Sequence, residues 1–363
     1  MPVMATPVEK RKQPADRAVP RRPAHEFDAI VLVSFGGPEG PDDVLPFLEN
    51  VTRGRNVPRE RLLDVAHHYE LFGGVSPINA QNRELIAALE PELRRRGVDL
   101  PVYFGNRNWH PYLAETMRQM TEDGVGRALA LFTSAFSSYS GCRQYREDLF
   151  NAQQAVGPAA PEVPRTRMFF NHPGFIEANV ERVRAAISEL AADDVHIAFT
   201  AHSIPSAMAA NCAYEAQLRE ASRLVAEAVG VTDWAVVYQS RSGAPQMPWL
   251  EPDICDHLRT LHERGVQAVV ISPIGFVSDH LEVLFDLDTE ARQIADELGL
   301  PMARAGTAGT HPAFVAGLAD LIVERMTPGA ERPALGRLGP SHDVCAPDCC
   351  LPGTGRPSPW DAS

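Results

Sequence analysis

The sequence predicts an α/β fold: two similar Rossmann-like lobes whose parallel sheets face one another across a cleft. Three observations predict it. Short apolar runs rich in β-branched residues alternate with charged helical patterns, as expected for parallel strands joined by crossover helices. The order of motifs in the first half recurs in the second. A proline-rich stretch, Gly157-Pro158-Ala159-Ala160-Pro161-Glu162-Val163-Pro164, lies between the halves and is linker-like in composition.

In chain order, a first strand over 29–34 ends in Phe35-Gly36-Gly37-Pro38. A second over 102–105 leads to His110-Pro111-Tyr112-Leu113, and a third over 128–133 runs into Ser134-Ala135-Phe136. The second half repeats this. Strand 197–201 leads into His202-Ser203-Ile204-Pro205, strand 234–238 leads on to Pro248-Trp249-Leu250, and strand 268–272 follows Gly265-Val266 as the third follows Gly124-Val125. The expected organisation is a disordered tail over 1–24, lobes over 25–156 and 168–330, and a cysteine-bearing tail over 331–363. A helix over 311–326 crosses back between the lobes.

At 363 residues the chain can build two cores or one large α/β domain. A net charge of -13 argues against nucleic acid as a partner, because a phosphate-binding face needs a basic excess. No apolar run is long enough to span a bilayer and no secretory signal is present, so the expected location is cytoplasmic. Six cysteines in such a chain do not suggest a disulfide framework.

His202 sits at the carboxyl end of a buried strand, which in open α/β sheets is where ligands bind. A bland alternative is a histidine satisfied by neighbouring backbone. The run Val266 to Asp288 tips the balance. Its strand is broken by Pro273 and Gly275, Asp279 is a plausible N-cap for the acidic helix that follows, and Glu282 falls in the first turn. Were both strands in one parallel sheet, Glu282 would face His202. A histidine and a carboxylate so placed suit proton transfer or a first-row divalent metal. Glu282, Asp286 and Glu290, at i, i+4 and i+8, share one helix face. The plainer reading of that face is solvation.

Five motifs in order, Ser34-Phe35-Gly36-Gly37-Pro38, Phe72-Gly73-Gly74-Val75-Ser76-Pro77, Thr200-Ala201-His202-Ser203-Ile204-Pro205, Tyr238-Gln239-Ser240 and Asp279-His280-Leu281-Glu282-Val283-Leu284, together resemble the ferrochelatase family over residues 27 to 330. The resemblance implies a chelatase-like fold and insertion of ferrous iron into a porphyrin, with His202 and Glu282 as proton acceptor and metal ligand. It implies a metal track or outer site at Asp286 and Glu290, and porphyrin contacts at Arg53, Ser76 and Tyr145. Arg53 in Thr52-Arg53-Gly54-Arg55 is the propionate partner, because a guanidinium holds a carboxylate bidentately. Phe35, Trp109, Met247, Trp249 and Phe276 are candidate walls for the ring, though each could be ordinary core. In some members a tyrosine stands where this chain has Phe35 and a histidine where it has Asn108, which argues against metal ligation from that face.

The tail carries Cys345-Ala346-Pro347-Asp348-Cys349-Cys350 on a segment with no core-forming pattern, which would stay disordered unless pinned. A 2Fe-2S cluster needs four thiolates, and Cys142 supplies the fourth by resemblance to actinobacterial ferrochelatases. Zinc on four thiolates is the runner-up, and free thiols the bland reading. Cys212 and Cys255 lie in helical patterns and read as structural. The same look favours coproporphyrin III over protoporphyrin IX as substrate. Alternatives are a cobalt or nickel chelatase of this fold and a non-catalytic haem or iron-sulfur binding module.

Overall fold

The computed structural model describes residues 26–54, 57–192, 194–243 and 246–353. The amino-terminal tail, Arg55 and the last ten residues of the carboxyl-terminal tail lie outside the described residues. In the first half β1 (Ala29–Ser34) is followed by α1 (Pro41–Val51), α2 (Arg59–Glu70), α3 (Ile78–Arg95), β2 (Val102–Asn106), α4 (Leu113–Glu122), β3 (Ala128–Phe132) and α5 (Gln144–Val156). The second half runs α6 (Pro173–Glu189), β4 (His196–His202), α7 (Ser206–Ala209), α8 (Tyr214–Val229), β5 (Trp234–Gln239), α9 (Ile254–Glu263), β6 (Val269–Ser272), α10 (Leu281–Val283), α11 (Arg292–Leu298), β7 (Met302–Arg304) and α12 (Pro312–Met326). Two π-helical segments, Tyr139–Arg143 and Leu284–Ala291, precede α5 and α11. No described helix is long and apolar enough to cross a membrane.

All strand pairs are parallel, in two sheets ordered β2-β1-β3 and β5-β4-β6-β7. Exchanging β4 for β1, β5 for β2 and β6 for β3 turns the first order into the first three strands of the second, which β7 extends. The β pleat sends alternate side chains to opposite faces. Ile30 and Leu32 of β1, with Ile197, Phe199 and Ala201 of β4, join one large core filled by α3, α6, α8 and α12. The other face of β1, Ala29, Val31 and Val33, packs under α4 and α5, and Ala198 packs with α9, the second π segment and α11. α12 packs on both α3 and α6, so it crosses back to the first lobe.

Two expectations are corrected. The stretch within 157–167 is no free linker: Ala128 donates to Glu162 O, Ala130 to Pro164 O and Thr166 to Ala130 O, so it runs along the edge of β3 much as β7 lines β6. Pro161 and Pro164 lack an N–H, which hides this edge from strand patterning. The counterpart of Pro111 is Pro252 rather than Pro248. Asn106 donates to Pro111 O and Tyr238 to Pro252 O, and Tyr112 and Asp253 then cap α4 and α9.

The tail over 331–353 is pinned by the protein itself. Asn171 donates to the carbonyls of Leu335 and Gly339, and buried Arg167 grips Glu324 and the Pro333 carbonyl. Arg143 donates to the carbonyls of Pro347 and Cys349.

Candidate active site

β4 and β6 are neighbours, so their carboxyl ends open on the same side. Gly275 lets the loop after β6 press against β4, since a Cβ there would come 2.6 Å from Ala201 Cα. The loop then delivers α10 beside His202. His202 Nε2 stands 3.4 Å from Glu282 Oε2. On its other side His202 Nδ1 donates to Ser203 O at 2.5 Å, which fixes the tautomer and leaves the Nε2 lone pair aimed at Glu282 when the ring is neutral. The His202 carbonyl in turn accepts from the Tyr214 hydroxyl at 3.0 Å.

The surrounding protein disfavours charge on both partners, and their mutual hydrogen bond and attraction overcome it. His202 is pushed above its ordinary value and Glu282 is held down to about 2, with His280 adding to the pull on the carboxylate. Both side chains still meet solvent, at 35% and 50% exposure, so reactants can reach them.

Asp279, expected to cap the acidic helix, does not. His280 is the cap, its Nδ1 accepting from Val283 N at 3.2 Å, while Asp279 pairs with Arg304 at 3.2 Å and its N–H donates to Gln81. An imidazole nitrogen can take the capping role as an acceptor, a signal that the Asp at 279 masks in the sequence. Glu282 lies in the α turn and Asp286 and Glu290 in the π segment, a rare geometry that recurs at functional sites. Asp286 accepts from Ser240 Oγ and from Gln239 Nε2 at 3.2 Å. Burial pushes its carboxyl up to about 7, with Glu282 and Glu290 adding to the rise against these hydrogen bonds. Glu290 is exposed at the far end.

Beside Glu282 and Asp286 lies a small cavity of about 70 Å³ lined by Phe35, Phe47, Tyr69, Leu281, Glu282 and Asp286, among others; His202 is not one of its lining residues. His68 of α2 stacks on Phe285 at 3.7 Å and 9°, and both line the cavity. Sequence reasoning missed Phe47 of α1 and His68 and Tyr69 of α2, because both segments read only as amphipathic helices. Trp109 packs edge-on against Phe47 and donates to Asp43. Phe276 packs on His280, Trp249 folds over Gly243, and Met247 is exposed.

The other expected contacts lie apart from His202 and Glu282. Arg53 is exposed beyond α1, near Tyr112. Ser76 is buried against Gly37, where a Cβ would meet it at 2.7 Å. Tyr145 is buried between Phe132 and the Arg107 guanidinium, which stands 4.6 Å from its ring centre and 5.6 Å from that of Phe35. Tyr145 thus backs the Phe35 wall from one layer behind.

A second cluster gathers all four expected cysteines. Cys142, in the first π segment, hydrogen-bonds to Cys345, Cys349 bonds to Cys345, and Cys349 Sγ lies 3.6 Å from Cys350 Sγ. The Cys142 hydrogen bond holds its own proton on and draws the Cys345 thiol down against burial, with help from Arg165 at 2.9 Å. Cys212 bonds to carbonyls of its own turn, and Cys255 is half-buried beside Asp253.

Residues 27–326 match the family model described as ferrochelatase. A ferrochelatase of Rhodopirellula baltica is 59% identical over 334 residues, 91% of this chain and 95% of that protein. A coproporphyrin III ferrochelatase of Streptomyces griseus subsp. griseus is 54% identical over 349 residues, 89% of this chain and 93% of that protein. One of Nocardia farcinica is 53% identical over 344 residues, 90% and 97%. Among solved structures, SirB from Bacillus subtilis with Fe3+ superposes with a TM-score of 0.51 at 12% identity, covering 82% of this chain and 94% of that one, which shows a shared fold.

Proposed function

The chain belongs to the ferrochelatase family, and from that premise we propose that it inserts ferrous iron into coproporphyrin III, with His202 and Glu282 as the reacting pair. Relatives of that name, about as long as this chain, support the choice of porphyrin. The single observation that carries the chemistry is the His202 tautomer. With Nδ1–H committed to Ser203 O, Nε2 is the nitrogen that takes up and releases a proton, 3.4 Å from a carboxylate that accepts a hydrogen bond from it once protonated.

Ferrous iron and the porphyrin are both substrates. Insertion forms four bonds from ring nitrogens to iron and releases two pyrrole protons. Nε2 of His202 accepts the first proton, Glu282 stabilises the resulting imidazolium, and once that proton has passed to solvent the neutral ring accepts the second. Near neutral pH Asp286 exchanges a proton readily, so it can carry one outward along the acidic face. The same face, from exposed Glu290 through Asp286 to Glu282, draws a hydrated cation inward and replaces its waters with oxygens.

The cavity is smaller than the several hundred Å³ of ordinary ligand pockets. A macrocycle therefore needs more room than this cavity, which His68 and Phe285 also line. Phe35 and Phe47 then supply an apolar wall, and Arg53 is the propionate partner at the rim. Ser76 and Tyr145 shape the wall from behind.

The cysteines fit a 2Fe-2S cluster: four thiols in one chain of contacts, with Arg165 to offset the charge of the thiolates. Cys142, Cys345, Cys349 and Cys350 would hold it, and it would supply one-electron redox chemistry away from His202. We place the reaction in the cytoplasm, without nucleic acid as a partner.

Anaerobic ferrous iron added separately with coproporphyrin III and protoporphyrin IX tests the reading. Faster metallation of coproporphyrin III is expected. Equal or faster metallation of protoporphyrin IX overturns the substrate, and metallation of neither leaves a binding module.

A further inference from the structure

The sulfur cluster contains one nitrogen that the four-thiol set does not use. His342 Nε2 lies 3.8 Å from Cys349 Sγ, and the donor atoms of His342, Cys345 and Cys349 all fall within 4.8 Å of one another. Sulfur at 2.3 Å and nitrogen at about 2.05 Å from a tetrahedral ion stand about 3.6 Å apart, and two sulfurs about 3.8 Å. The observed edges, 3.8 Å from His342 to Cys349 and 3.6 Å from Cys349 to Cys350, each lie within about 0.2 Å of those separations.

The backbone around His342 is fixed from both sides. Arg332 pairs with Asp343 and donates to Ser341 O, while Arg165 donates to both His342 O and Cys345 Sγ. Arg143 holds the Cys349 carbonyl. Three donors from three separate positions are thus held on one spot. His342 is exposed, which opens the spot to metal from solvent, whereas Cys345 and Cys349 are half-buried.

We propose that His342, Cys345 and Cys349 form a site for a single soft divalent cation of the zinc class, with a thiol from Cys142 or Cys350 completing four-coordination. A mixed nitrogen and sulfur set of this kind is characteristic of tetrahedral zinc. Each thiol gives up its proton as it binds, and Arg165 offsets the negative charge that results. This site shares cysteines with the proposed cluster but draws on an imidazole that the cluster does not need, so the two loads compete for one pocket.

Cobalt(II) added anaerobically to the metal-free full-length chain tests it, because sulfur-to-cobalt charge transfer and tetrahedral visible bands report this donor set. The His202 and Glu282 site offers no sulfur and gives no such charge transfer. The wild type should show both signals. His342→Ala should weaken binding at least about tenfold, as large as the loss from removing a ligand's outer partner. His342→Cys should restore tetrahedral binding with stronger sulfur charge transfer. Absence of sulfur-to-cobalt absorption in the wild type, or an unchanged affinity and spectrum in His342→Ala, overturns the proposal. Iron and sulfide reconstitution of the wild type and His342→Ala reads the cluster assignment separately, since four thiols suffice for it.

Discussion

The two lobes share one wiring and place different side chains at equivalent strand ends. The hydrogen bonds to Pro111 O and Pro252 O set Asn106 of the first lobe against Tyr238 of the second. Through the pairings Ser34 with Asn106 and Ala201 with Tyr238, Phe35 then occupies the position of His202, and Arg107 that of Gln239. The backbone positions correspond, and the side chains do not. One lobe presents a phenyl ring braced by Arg107, and the other an imidazole that meets Glu282 while Gln239 steadies Asp286. On the proposed assignment, a duplicated scaffold gives an apolar wall for a flat ligand and a polar wall for protons and metal.

The largest expected effect comes from emptying the polar wall. His202→Ala should lower the rate of iron insertion by roughly a hundredfold or more, the range for loss of a positioned general base, with porphyrin binding retained. Single-turnover absorbance changes and fluorescence quenching measure the two separately. Near-normal insertion in this variant would break the division between the lobes.

Next in size is Asp286→Asn, with about tenfold lower kcat/KM for iron at pH 8. At pH 6 the effect should shrink to about twofold. With its carboxyl pushed up to about 7, Asp286 is mostly neutral at pH 6 and ionised at pH 8, so the amide mimics only the acid form. Iron kinetics at the two pH values check this.

The pH profile of the wild type follows from the same pair. His202 must be neutral to accept a proton, and Glu282 raises its pKa above the ordinary value of 6.5. Activity should therefore rise with pH through a limb above 6.5, and the limb of Asp286→Asn should be shallower. A profile that falls as pH rises from 6 to 8 would contradict the assignment of His202 as the base.

The smallest effect belongs to the apolar wall. Phe35→Leu keeps an aliphatic surface and loses the flat ring, so porphyrin KM should rise a few-fold, equivalent to about 1 kcal/mol, with kcat nearly unchanged. Steady-state titration with coproporphyrin III separates the two constants.

Much of this division is legible in the sequence because it rests on strand ends. The runs ending at Phe35 and His202 announce themselves by apolar patterning, and adjacency of the strands before His202 and Glu282 brings those two residues together. Features set by three-dimensional context stay hidden. His280 caps a helix that Asp279 seemed to own, because Arg304, remote in sequence, claims the aspartate. The edge along β3 is masked by two prolines. The tail looks unanchored because its partners, Asn171, Arg167 and Arg143, act through backbone carbonyls that carry no sequence signal. Tyr145 matches a porphyrin-contacting position by motif, yet stands behind Arg107 because α5 buries that face.

The most direct test of the central claim is Glu282→Gln, assayed for coproporphyrin III affinity and for anaerobic iron insertion in one preparation. The amide keeps the shape of the side chain, cannot be ionised, and removes the charge that stabilises protonated His202. An unchanged porphyrin Kd with insertion reduced by a factor of about a hundred or more is the expected result. Insertion at the wild-type rate would show that the polar wall does not carry the chemistry.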